Sequence, residues 1–91
     1  MAGQAGTTTI LVAEDDGSIR AVLNATLRSA GYRVLEADNG PDAFILAHEH
    51  LPDLILSDVL MPGGNGQDLL AALRADPRTA DLLFVFLTCL D

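Results

Sequence analysis

The sequence predicts an alternating α/β domain built on a parallel β-sheet. Three observations carry that prediction. Short strand-like segments recur four times, segments with helical spacing separate them, and glycine, proline or capping residues mark the junctions. Ninety-one residues suffice for one domain and leave no room for a second.

Residues 1–7 are small and polar and read as a loose leader, so the domain is expected over 8–91. Ile10-Leu11-Val12-Ala13 is a continuous apolar run, the pattern of a strand covered on both faces. Glu14-Asp15-Asp16 follows at once. Ile19, Val22, Leu23, Leu27 and Ala30 then recur at helical spacing, with Asp16 or Ser18 as a candidate cap. Gly31 stands where a helix end favours a left-handed residue.

The unit then repeats. Arg33 to Ala37 reads as a second strand and Asn39-Gly40 as a turn, and Pro41 sits at a plausible first helical position before Ala43, Phe44, Leu46 and Ala47. Pro52 ends that helix, and Asp53 to Ser57 is a third strand ending on Asp58. The stretch from Met61 to Gly66 reads as a flexible turn before a third helix bearing Leu69, Leu70 and Leu73. Asp76-Pro77 stops this helix, and Leu82 to Leu87 forms a fourth strand ending on Thr88.

Composition narrows the function. Hydrophobic residues make up 49% and charged residues 20%, a globular balance. A net charge of −8 argues against direct nucleic-acid binding, which wants a basic stripe. The basic residues are all arginine, and no lysine occurs. The single cysteine, Cys89, excludes an internal disulfide and fits a reducing cytoplasm. The longest apolar run is far too short to cross a membrane, and the first residues lack a signal-peptide pattern.

Right-handed crossovers place the ends of all parallel strands on one rim, where ligands of such sheets bind. Glu14 and Asp15 follow the first strand, Asp58 the third and Thr88 the fourth. Carboxylates crowded together repel one another unless a cation or a shared proton relieves them. Oxygen-only ligands point to Mg2+. A carboxylate beside such a metal can attack phosphorus and form an aspartyl phosphate, with Thr88 donating a hydroxyl hydrogen bond to a phosphoryl oxygen.

Each feature alone has a plainer explanation. An acidic cluster before a helix usually caps it, and that remains the expected role of Asp16. Asp53 merely opens a strand, and threonine in a strand is usually there for β propensity. His48 and His50 fall on different helix faces and read as solvated. Phe44, Phe84 and Phe86 read as core, and Cys89 as packing. Gly63-Gly64-Asn65-Gly66 has neither the spacing nor the lysine of a phosphate-binding loop. The convergence of Glu14, Asp15 and Asp58 on one rim outweighs the plainer readings.

Three separated segments resemble the receiver domains of two-component response regulators. They are Ile10-Leu11-Val12-Ala13-Glu14-Asp15-Asp16, Pro52-Asp53-Leu54-Ile55-Leu56-Ser57-Asp58, and Met61-Pro62 with Gly66 after it; Leu87-Thr88 resembles the end of the family's fourth strand. The resemblance implies a flavodoxin-like (CheY-like) doubly wound sheet in the order 2-1-3-4. It implies that Asp58 is the phosphoacceptor and a metal ligand, with Glu14, Asp15 and the backbone carbonyl of Leu60 completing the protein's Mg2+ ligands. Thr88 would be the switch hydroxyl beside the Cys89 backbone amide. The donor would be a sensor histidine kinase or a phosphotransfer protein.

Glu14 stands where the family more often has aspartate, which keeps the charge on a longer arm. Receivers continue with a fourth helix, a lysine-bearing fifth strand and a fifth helix, so the chain reads as truncated after the fourth strand. That reading leaves Leu82 to Leu87 as an apolar edge, and self-association is expected there. Two alternatives compete. A receiver-like interaction module that is never phosphorylated draws support from the missing lysine. A Mg2+-dependent phosphohydrolase usually wants a second aspartate two residues after the nucleophile, where this chain has Leu60.

Overall fold

A computed structural model of the chain describes residues 7–61 and 65–87. Four strands, β1 (Thr9–Ala13), β2 (Arg33–Ala37), β3 (Leu54–Asp58) and β4 (Leu83–Leu87), alternate with three helices, α1 (Gly17–Ser29), α2 (Gly40–His50) and α3 (Gly66–Ala75). The strands form one sheet in the order β2-β1-β3-β4, and every pairing is parallel. This is the expected order. Ala13 lies opposite both Ala37 and Ser57, and Asp58 lies opposite Leu87. That register brings the ends of β1 and β3 level.

Alternation along β1 sends its side chains into two separate cores. Leu11 and Ala13 join Ile55 beneath α2 and α3, which contribute Ala43, Ala47, Leu69 and Leu73. Ile10 and Val12 join Val34 on the opposite face, packed by Leu23 and Leu27 of α1. The fully buried Ala43 and Ala47 lack long side chains, so α2 can lie close against the sheet. Coverage thins toward β4, where Leu83 is 66% and Val85 is 49% exposed.

The helix ends largely follow their local chemistry. The Asp16 side chain accepts from the Ser18 and Ile19 amides at 2.8 and 3.0 Å, so it caps α1. Gly31 takes φ of 96°, a left-handed geometry that relieves the carbonyls at the end of α1. Asn39 proves to be the cap of α2, accepting from the Asp42 amide at 2.8 Å, rather than half of a simple turn. Leu51 ends α2 in left-handed backbone with φ of 47°, a conformation unusual for leucine that precedes the buried Pro52.

Other departures concern which residues reach the core. Val22 shares the helical spacing of Leu23 and Leu27 but is 65% exposed, because α1 touches the sheet along a narrow stripe. Phe44 and Phe84 are half-buried and pack against the core beneath α2 and α3, and Phe86 is half-buried as well. His48 is not simply solvated. Its Nε2 lies 3.4 Å from an Asp76 carboxylate oxygen, and its carbonyl accepts from Arg78 Nε at 2.7 Å. Arg74 donates to the carbonyls of Ala80 and Leu82, fixing the entry into β4.

Leu73 is wholly buried beneath α3 and has no polar duty. Leu73→Ala is expected to cost about 2–5 kcal/mol, through lost transfer energy and the cavity left behind. Urea unfolding measures this directly, and a loss below about 1 kcal/mol would mean that α3 is not a clamp on this core.

Candidate functional site

The rim at the ends of β1 and β3 gathers the acidic residues singled out from the sequence. Glu14 continues β1, and its amide donates to the Ala37 carbonyl at 3.0 Å. This bond prolongs the pairing with β2 by one residue and fixes the direction of the Glu14 side chain. Glu14 is 1% exposed, Asp58 is half-buried and Asp15 is exposed. Carboxylate oxygens from these three residues lie within 4.8 Å of one another. Three acids drawn from two strand ends therefore share one small volume.

The protein ties down one oxygen from each of two of these carboxylates. The Asp16 amide donates to Glu14 Oε2 at 3.0 Å, and the Val59 amide donates to Asp58 Oδ1 at 2.8 Å. Glu14 Oε1 is buried and has no hydrogen-bond partner among the described residues. An orphaned acceptor beside two further carboxylates is costly for a folded chain to keep. Burial pushes the Glu14 carboxyl up from 4.5 to about 7, and the nearby Asp58 charge and hydrogen bonding with Asp15 and Asp58 add to the rise. The bond from the Asp16 amide opposes it. Holding a proton or gaining a cation would each relieve the strain.

Arg20, which sequence reasoning passed over, belongs to the surroundings of this site. Its Nη1 donates to the Glu14 backbone carbonyl at 2.8 Å, while its Nε lies 3.4 Å from Glu36 Oε1. The guanidinium thus braces the β1–α1 turn from the β2 side. Its place one turn into the helix after an acidic turn was the available signal. Leu60 follows Asp58 by two residues, with its side chain 73% exposed. Thr88 and Cys89 lie outside the described residues, as do Pro62, Gly63 and Gly64.

Asn65 and Gly66 do not form the loose turn expected of them. Asn65 caps α3 through a reciprocal box with Asp68, each side chain accepting from the other's amide at 2.9 and 3.2 Å. An Asn-x-x-Asp spacing before three leucines was the legible signal. Gly66 is buried as the first residue of α3, directly behind Asp58.

Comparison with known proteins settles the family. The model of the response regulator receiver domain matches residues 10–89. The chain belongs to that family. The receiver is 39% identical over 80 residues to the phosphate regulon transcriptional regulatory protein PhoB of Pseudomonas aeruginosa, covering 88% of this chain and 35% of that protein. It is 40% identical over 82 residues to the response regulator PleD of Caulobacter vibrioides, covering 90% of this chain and 18% of PleD. The chain thus spans about a third or less of these relatives' lengths.

A solved receiver domain of the Pseudomonas aeruginosa sensor histidine kinase PA1611, crystallised with magnesium in its active-site cleft, superposes with a TM-score of 0.87. It is 31% identical, with 91% of this chain and 68% of that one covered. The flavodoxin-like sheet and the two-component family read from the motifs are both borne out. Members of this family are in general signalling phosphoacceptors rather than enzymes acting on outside substrates. Among the described residues, no helix is long and apolar enough to cross a membrane.

The raised Glu14 pKa makes the receiver's stability depend on pH. In excess chelator, stability from this group is full below pH 4.5 and falls as pH rises through about 7, because the unfolded chain loses the proton first. The full span corresponds to about 3 kcal/mol. Glu14→Gln is expected to remove this dependence and to exceed the parent in stability above that range. Urea unfolding of both proteins across the range reads the difference, and a constant gap at all pH values would contradict the assignment.

Proposed function

We propose that Asp58 accepts a phosphoryl group from a phosphohistidine on a sensor histidine kinase or phosphotransfer protein. The observation that carries this reading is the convergence of Glu14, Asp15 and Asp58, with carboxylate oxygens within 4.8 Å, at the strand ends of a receiver fold. The Val59 amide holds Asp58 Oδ1 and leaves the other oxygen for in-line attack on phosphorus. A phosphorus–oxygen bond forms, the phosphorus–nitrogen bond breaks, and the donor's imidazole departs.

Mg2+ suits the donor set, which is oxygen throughout and includes the orphaned Glu14 Oε1. Glu14, Asp15, Asp58 and the Leu60 backbone carbonyl would hold it, and the bound ion supplies positive charge against the oxygens of the transferred group. With the ion bound, Glu14 would serve in its charged form, since a nearby cation favours the ionised carboxylate. Thr88 and the Cys89 amide are proposed to contact the phosphoryl oxygens, Thr88 as the hydroxyl whose movement carries the signal. The receiver acts in the cytoplasm in this reading, and its partners are proteins rather than nucleic acid.

A second reading is a receiver-like module that works through protein contacts alone and is never phosphorylated. Intact mass after incubation with Mg2+ and a small-molecule phosphodonor separates the two. The expected outcome is one phosphoryl addition, abolished in Asp58→Asn and in excess chelator. Folded protein that gains no mass favours the contact-only module.

Self-association of this chain is also proposed, through the β4 edge. Among the described residues, β4 pairs only with β3, and Leu83 and Val85 present apolar side chains there with no charge to repel a second strand. Light scattering over a range of concentrations should show a mass that rises above the monomer. A constant monomer mass would rule this out.

A further inference from the structure

Asp58 is gripped by its own backbone as well as by its carboxylate. The Ser57 side chain is wholly buried, and its hydroxyl donates to the Asp58 carbonyl oxygen at 2.8 Å. On the far side of the loop, the Gly66 amide donates to the Val59 carbonyl at 2.7 Å. A Cβ placed on Gly66 would lie deep inside the contact distance of the Asp58 carbonyl oxygen. It would also come within 3.0 Å of Phe86 Cε1 and Ser57 Oγ. The obstruction is backbone, so no side-chain rotation relieves it.

We propose that Ser57 and Gly66 are positioning residues that set the height of the Asp58 carboxylate at the rim, by clamping the Asp58 carbonyl between a buried hydroxyl and a bare Cα. The start of α3 cannot easily yield to a side chain at position 66. It is held by the Asn65–Asp68 box and by the buried Leu69 and Leu73. The peptide between Asp58 and Val59 therefore has to move. The same peptide carries the Val59 amide that holds Asp58 Oδ1. Displacing it shifts the carboxylate away from Glu14 and Asp15 and turns the attacking oxygen. This inference rests on Asp58 being the phosphoacceptor.

The test uses the 15N-labelled receiver as Gly66→Ala, Ser57→Ala and, as a control, Val34→Ala, which thins the core on the other face of the sheet, under α1, without touching the clamp. Three quantities are read on each: Mg2+ affinity by amide titration, exchange protection of the Val59 amide, and initial phosphorylation rate at saturating Mg2+ with a small-molecule donor. Gly66→Ala is expected to weaken Mg2+ binding about fivefold or more and to slow phosphorylation about tenfold or more, since a misplacement near 1 Å can cost about a hundredfold. Ser57→Ala should move both in the same direction by about two- to fivefold, and both variants should lose Val59 protection. Val34→Ala should lower the urea midpoint yet keep all three readouts within about twofold of the parent.

A folded Gly66→Ala protein with all three readouts within about twofold of the parent overturns the clamp. If that variant does not fold, the same outcome in Ser57→Ala overturns it, as does a Val34→Ala control that shifts equally. A parent that binds Mg2+ but never gains a phosphoryl group counts against the phosphoacceptor reading alone. Mg2+ affinity and Val59 protection still decide the clamp in that case.

Discussion

Mutual repulsion among Glu14, Asp15 and Asp58 is the constraint on which the site depends. Two of these groups are at least half withdrawn from water, and one buried oxygen goes without a partner among the described residues. A folded chain carries such a cluster at a cost, and the cost becomes affinity once something positive arrives. The raised Glu14 pKa expresses the same physics in proton form. With no cation present, a proton is the cheapest way to lower the local charge.

The sheet makes this arrangement possible by bringing strand ends level. Pairing of β1 with β3 sets Ala13 beside Ser57, so the next residue of each strand, Glu14 and Asp58, emerges at the same height. Two apolar layers hold that register, because a slip by one residue would turn Leu11 and Ile55 out of one core and Val12 out of the other. Beyond the strand ends, the backbone is held by specific bonds. Arg20 braces the Glu14 carbonyl, Ser57 the Asp58 carbonyl, and Gly66 the Val59 carbonyl. Asp58 ends a strand, and Glu14 and Asp15 open a turn braced by these bonds, which keeps their separation short.

Much of the fold was legible because it is written in local pattern. The range of β2 was read in full from Arg33 to Ala37, and the starts and stops of the helices followed Asp16, Gly31, Pro52 and Asp76. Val22 failed because helical spacing says which residues share a face, whereas burial depends on how wide a stripe the sheet covers. The half-burial of Phe84 and Phe86 has a related cause, since both lie on β4, where coverage thins. Asn65 was misread because it was taken together with the glycines of its loop, whereas its side chain caps the helix through reciprocal bonds with Asp68.

By itself, the sequence determined the element order, the parallel sheet and the identity of the three acids, because apolar period, turn residues and strand-end position are properties of neighbours along the chain. Tertiary structure alone decided that Glu14 is buried with an unsatisfied oxygen, that Arg20 reaches back to the turn, and that Gly66 leaves room for the Asp58 carbonyl. Those facts join residues far apart in the chain or depend on what surrounds a side chain. Distance and desolvation exist only once the strands have paired and the helices have packed against them.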